Sequence, residues 1–225
     1  MKHSTRILAL AVAVLGFLGI TTSGWAAWDL QDTVNRATKD VRHFKGRSDH
    51  TIPRSVLEHA KGIAYLRKQE EGFILGFSSG KGLVMAKTAH GWSGPAAMKS
   101  GGMSFGLEVG GETEQLLFIL NTAEAVEHFA KGHKFKLGAD LAMTAGPTSE
   151  QEIKHHKVAP VYVYTRKKGF WTAIALKESS VEPDRGTDKE YYGKAVTTRE
   201  ILERKVLPPA GAKELIRALE APYRK

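Results

Sequence analysis

Five groups of residues in this chain have types and spacings that could do chemistry, and they are weighed first. Nine histidines raise the question of metal. His155 and His156 are adjacent, so on a regular helix or strand they point apart. His128 and His133 are five apart and straddle Gly132. No His-Glu-x-x-His or comparable ligand spacing occurs, so the histidines read as exposed side chains of a basic protein. Ser79-Gly80-Lys81-Gly82 lacks the hydroxyl residue and following helix that a phosphate loop requires, and Gly101 to Gly111 does not match a dinucleotide fingerprint. These glycines read as turns, bulges and close strand packing. Trp92-Ser93-Gly94-Pro95 is a turn and not a nucleophile elbow. Glu108, Glu112 and Glu114 lie close enough to imitate a carboxylate pair, and a hydrolase using Glu108 or Glu112 is the catalytic alternative. The expectation is a protein with no cofactor, no metal and no catalytic residues.

The fifth group is cationic. Leu30, Val34, Ala37, Val41 and Phe44 recur at spacings of four, three, four and three, one stripe of a helix over 28–45. Arg36, Lys39, Arg42 and Lys45 fall largely off that stripe. A helix of this kind either lies on anionic membrane with its cations at the headgroups, or packs on its own domain. The sequence leaves both open. On the first reading Arg36, Lys39, Arg42 and Lys45 are the lipid-binding residues.

The elements around this helix follow from periodicity and punctuation. Ser55 to Lys61 reads as a short helix stopped by Gly62. Short strands divided by glycine are expected at Ile63–Leu66, Phe73–Phe77, Leu83–Lys87 and Met103–Val109, then Gln115–Leu120. Asn121 or Thr122 caps a helix running through Ala130. Phe135–Met143, Val161–Tyr164 and Phe170–Leu176 continue the β-rich part. After Pro183 the chain turns helical at Lys189–Tyr192, Thr198–Arg204 and Ala212–Leu219. Strands grouped centrally, with helices at both ends, give an α+β class: one compact domain with an antiparallel core of short glycine-bounded strands.

Export is expected from the N-terminus. Lys2 and Arg6 precede an uncharged, mostly apolar run from Ile7 to Ile20, and Gly24-Trp25-Ala26 places small residues for cleavage after Ala26. Residues 1–26 therefore read as a signal peptide, a retained anchor being the alternative, and 27–225 as one domain with a core over 52–220. Losing Lys2 and Arg6 takes the net charge from +9 to +7, still basic. Such a charge favours anionic partners, and export sets nucleic acid aside. With no cysteine, the chain has no disulfide, no thiol chemistry and no lipoprotein anchor. A periplasmic protein, peripheral on a membrane, is the expectation.

Taken together the motifs resemble the SYLF domain family over about 28–220. Ile52-Pro53-Arg54-Ser55-Val56-Leu57 and Ala60-Lys61-Gly62-Ile63-Ala64 resemble its opening. Ser79-Gly80-Lys81-Gly82, Trp92-Ser93-Gly94-Pro95, Gly106-Leu107-Glu108-Val109-Gly110-Gly111 and Ala159-Pro160-Val161-Tyr162 follow in the family's order, as does Thr197-Thr198-Arg199-Glu200-Ile201-Leu202. Gly146-Pro147-Thr148-Ser149-Glu150 stands where the family often has Gly-Pro-Leu-Gly-Arg. The resemblance implies non-enzymatic lipid binding linked to the first basic helix, which places that role on Arg36, Lys39, Arg42 and Lys45. It also implies phosphoinositides for eukaryotic members and actin for some fungal ones. For an exported chain the expected partner is instead anionic lipid, and actin is not expected. The alternative is an envelope protein-interaction or structural domain that touches no lipid.

Overall fold

The structure, a computed structural model, describes residues 29–46, 51–72, 75–105, 112–155, 158–165 and 179–223. Residues 1–26, read from the sequence as a signal peptide, Glu108 with its glycines, and the strand expected at Phe170–Leu176 lie outside them.

Helix α1 (Leu30–Phe44) starts where Asp29 Oδ1 accepts from Gln31 N at 2.7 Å, capping an otherwise unpaired amide. Helix α2 (Arg54–His59) follows. Strands β1 (Gly62–Gly72) and β2 (Leu75–Thr88) pair antiparallel, from Gly62 opposite Ala86 to Gly72 opposite Gly76. Both are longer than the sequence divides them. Gly80 and Gly82 do not break β2; they sit inside it where neighbouring chain comes close. A Cβ on Gly82 would collide with the Tyr65 carbonyl oxygen, so the glycine serves close strand approach.

The two-residue β3 (Gly91–Trp92) folds back on β2, and β4 (Ala96–Phe105) and β5 (Glu112–Leu120) flank the central hairpin. Helix α3 (Ala123–Ala130) begins at Thr122, whose hydroxyl accepts from Ala125 N at 3.1 Å. Then come β6 (Phe135–Lys136), β7 (Met143–Ala145), α4 (Glu150–His155), β8 (Val161–Thr165) and β9 (Ser180–Pro183). Three helices close the chain: α5 (Arg185–Tyr192), α6 (Thr198–Leu202) and α7 (Lys213–Glu220). Thr197 and Glu200 form a reciprocal capping box at the start of α6.

The strand order is β6-β9-β4-β2-β1-β5-β8-β7, antiparallel except for β7 with β8. Alternation along the strands divides the interior. Ile63, Tyr65, Leu83, Met85, Leu117 and Ile119 face α1, α2 and α7. Ala64, Leu66, Val84, Leu116, Phe118 and Leu120 face α3 and α6. Helices thus cover both faces of the central strands. The result is the expected α+β class: one domain, an antiparallel-rich sheet, helices from both ends of the chain.

Candidate functional site, a cationic groove between the first and last helices

Helix α1 is packed on the core. Leu30, Val34, Ala37, Val41 and Phe44 are each at most 2 % exposed. Phe44 lies 6.1 Å from the Tyr164 ring, and α7 supplies Leu215, Ala218 and Leu219 to the same cluster. A buried tie reinforces the contact: Tyr65 Oη donates to Asp40 Oδ2 at 2.9 Å. That burial, with the adjacent Asp40 carboxylate, pushes the Tyr65 hydroxyl well above the usual phenol range. At the other end, Gln31 Nε2 donates to Gly211 O at 3.1 Å while Tyr191 Oη donates to Gln31 Oε1, also at 3.1 Å.

With the apolar stripe buried, only the polar side of α1 faces solvent, and its cations have different environments. Arg36 is held one turn from Asp32, Nε to Oδ2 at 2.7 Å. Lys39 is exposed. Arg42 reaches across to α7, Nη2 to Glu214 Oε2 at 2.7 Å. Lys45 is turned inward and only 7 % exposed. Its ammonium donates to Ala218 O at 2.9 Å, to Leu219 O at 3.1 Å and to Ala221 O, carbonyls at the end of α7. A cation there complements the negative end of the helix dipole. Burial, and secondarily the charge of Arg54, hold the Lys45 amine below the usual lysine range.

Lys39, Arg42 and His43 from α1 and Lys45 just after it, with Glu214 and Arg217 from α7, line a groove of about 570 Å³. Glu214 is its acid. Besides Arg42 it holds Arg217, Nη1 to Oε1 at 2.6 Å. These two guanidinium groups, Arg42 first, keep its carboxyl below the usual glutamate range. A second cavity of about 420 Å³ shares Lys45, Ala221 and Pro222 with the groove and has Leu57, Trp92 and Tyr223 in its wall.

Of the four residues named from the sequence, the fold brings Lys39, Arg42 and Lys45 to this groove. Arg36 does not line it. Sequence reasoning missed Glu214 and Arg217. Their i,i+3 spacing in an amphipathic terminal helix was visible, but the partnership with a helix 172 residues earlier was not.

The other chemical candidates have structural roles. Ser93 Oγ accepts from Ala86 N at 2.9 Å and donates to Gly94 O at 2.8 Å, fully buried. Glu114 stands opposite Lys68 in the β5–β1 register. Among the described residues no cluster of three or more His, Asp or Glu side chains could hold a metal ion, and no helix is long and apolar enough to cross a membrane.

Residues 101–222 match the Ysc84 family, described as Las17-binding protein actin regulator. The chain belongs to this family, whose domain is the SYLF domain. It is 31 % identical over 202 residues to the SH3 domain-containing YSC84-like protein 1 of Bos taurus, covering 86 % of this chain and 59 % of that protein. The Homo sapiens protein of the same name matches to the same extent, 31 % over 202 residues. Identity to LAS seventeen-binding protein 3 of Saccharomyces cerevisiae is 31 % over 180 residues, 77 % of this chain and 39 % of that protein. The chain thus spans less than two thirds of the length of these relatives. The names describe a family of binding and regulatory proteins.

Proposed function

We propose that this SYLF domain is a non-enzymatic module that binds anionic membrane lipid through the polar side of α1 and α7. The observation that carries the reading is the groove itself: Lys39, Arg42 and Arg217 line one concave surface with a single acid, Glu214. Because the stripe from Leu30 to Phe44 is buried, α1 has no apolar face to insert while the domain stays folded. Attachment is therefore electrostatic. Three basic residues near an anionic surface contribute about 3 kcal/mol, or about two orders of magnitude in affinity. The proposed setting is the periplasm after removal of residues 1–26, in agreement with the basic, apolar and small-residue segments of the N-terminus.

Co-sedimentation with phosphatidylglycerol, cardiolipin and phosphatidylcholine vesicles at low and high salt tests this. Binding to the anionic vesicles that weakens with salt is expected. Binding to none of them would sink the lipid reading.

The buried stripe also favours a second reading, a domain that docks another protein. Relatives named for binding Las17 support that class of role. Its sign would be a stable complex with an envelope protein that persists when vesicles are absent.

A further inference from the structure

The second cavity, of about 420 Å³, is built by segments far apart in the chain. Leu57 of α2, Trp92 of β3, Leu219 of α7 and Tyr223 beyond it give aliphatic and aromatic walls. Leu57, Trp92 and Leu219 are each at most 5 % exposed, so these walls are anchored in the core. The chain around Trp92 is fixed on both sides. Gly91 turns into it with φ of +97°, a conformation that other residues disfavour. Ser93 N donates to Ala86 O at 2.8 Å, and Ser93 Oγ accepts from Ala86 N at 2.9 Å. Tyr223 Oη donates to Pro53 O at 3.4 Å, and the Lys45 ammonium lies 5.1 Å from the centre of its ring.

The charges around the cavity give it a sign. Lys45, Arg54 and Lys87 line it, against Glu58 and Glu220. Glu58 is already engaged by Arg54, Nε to Oε1 at 3.1 Å, and Lys87 Nζ donates to the Glu58 carbonyl at 2.9 Å. Each contact occupies a single donor, which leaves other hydrogens of both cations for an acceptor. Lys45 is nearly buried, so water screens its charge weakly and a cationic guest is repelled.

We infer that this cavity binds a small aromatic carboxylate, its ring against Trp92 and Tyr223 and its carboxylate at Arg54 and Lys87. The inference goes beyond the membrane reading and does not depend on it, since neither Arg54 nor Lys87 lines the groove. The volume lies within the ~300–1,000 Å³ of small-ligand sites, which likewise join apolar walls to a few polar groups. Two aromatic wall residues favour a flat ring, through stacked or edge contacts, over a flexible acyl chain.

Isothermal titration calorimetry with 2-naphthoate, its neutral amide, 2-naphthylmethylammonium and decanoate tests this. The unaltered protein is compared with Tyr223→Ala, Lys87→Gln and Lys39→Gln, and melting temperatures are measured in parallel. Lys39 lines the groove and not the cavity. 2-Naphthoate should bind saturably at one site, more tightly than decanoate, and the ammonium compound should not bind. Tyr223→Ala should weaken 2-naphthoate about tenfold. Lys87→Gln should weaken it about threefold and narrow the gap between acid and amide. Lys39→Gln should bind like the unaltered protein.

No saturable binding of 2-naphthoate would overturn the inference. Equal affinity for acid and amide would overturn the role of Arg54 and Lys87, and tighter binding of decanoate would overturn the aromatic class. A loss in Lys39→Gln as large as that in Lys87→Gln would move the ligand to the groove. Should Tyr223→Ala melt early, Lys87→Gln still decides, because its side chain is exposed and its removal leaves the walls in place.

Discussion

On the α3–α6 side of the sheet one arginine is divided between two acids; on the α1–α7 side two arginines divide one acid. Arg199 reaches Glu127, and its Nη1 lies 3.2 Å from Glu203 Oε1, while Lys205 meets Glu203 Oε2 at 2.6 Å. Cations and carboxylates balance there, and the network closes on itself. Around Glu214, Arg42 and Arg217 are left with unspent donors, and Lys39 adds a further cation to the groove. Both sides rest on comparably buried apolar clusters, so burial does not distinguish them. The difference lies in surface stoichiometry, which leaves one side complete and the other ready for an anion.

The largest expected effect tests whether α1 is as firmly built as the helices opposite. Phe44→Ala empties a site that is 1 % exposed and should cost about 4 kcal/mol in a urea unfolding series. A loss as small as that of an exposed substitution would mean α1 detaches readily, and insertion of its apolar stripe would return as a mode of membrane contact.

Next in size is a pH effect at the helix joining the two sides. On α5, Tyr191 packs with the α1 core and Tyr192 with the other. Asp188 of this helix is fully buried and accepts from Ala97 N at 2.7 Å. Desolvation pushes its carboxyl up to about 7, the Ala97 amide opposes this, and Asp184 adds to it. A raised carboxyl stabilises the fold fully below its unfolded value near 4 and loses that contribution as pH rises to 7. Unfolding free energy should therefore fall by about 4 kcal/mol from this group between pH 4 and pH 8. Urea midpoints of Asp188→Asn should lack most of this decline. An identical pH profile in the variant would contradict the assignment.

Lys45→Met removes the ammonium from the Ala218, Leu219 and Ala221 carbonyls and should cost about 2 kcal/mol. The relief of a buried charge limits the loss. Lys39→Gln should leave the melting temperature where it is. This contrast separates the cation that builds the groove from one that is free to meet a ligand.

Much of this was legible in the sequence, and the exceptions share a cause. The 3.6-residue recurrence of Leu30, Val34, Ala37, Val41 and Phe44 located α1 and its buried face, and Asn121-Thr122 marked the start of α3, where Thr122 proves to be the cap. Gly80 and Gly82 misled, because a glycine that admits a neighbouring backbone looks in sequence like one that ends a strand. Helix α4 had no apolar period strong enough to be noticed. Position along α1 identified which cations leave the stripe, but not that Lys45 would meet the end of a helix 173 residues later. Local patterns fix faces; what a face meets depends on long-range packing.

The most direct measurement sets the two sides against each other with equal charge removed. Lys39→Gln/Arg42→Gln/Arg217→Gln takes three cations from the α1–α7 side, and Lys131→Gln/Arg199→Gln/Lys205→Gln takes three from the other. Co-sedimentation with phosphatidylglycerol vesicles at low salt should fall to the level of neutral vesicles for the first protein and stay near that of the unaltered protein for the second. Equal losses in the two would show that net charge alone drives binding, and the groove would no longer be the site.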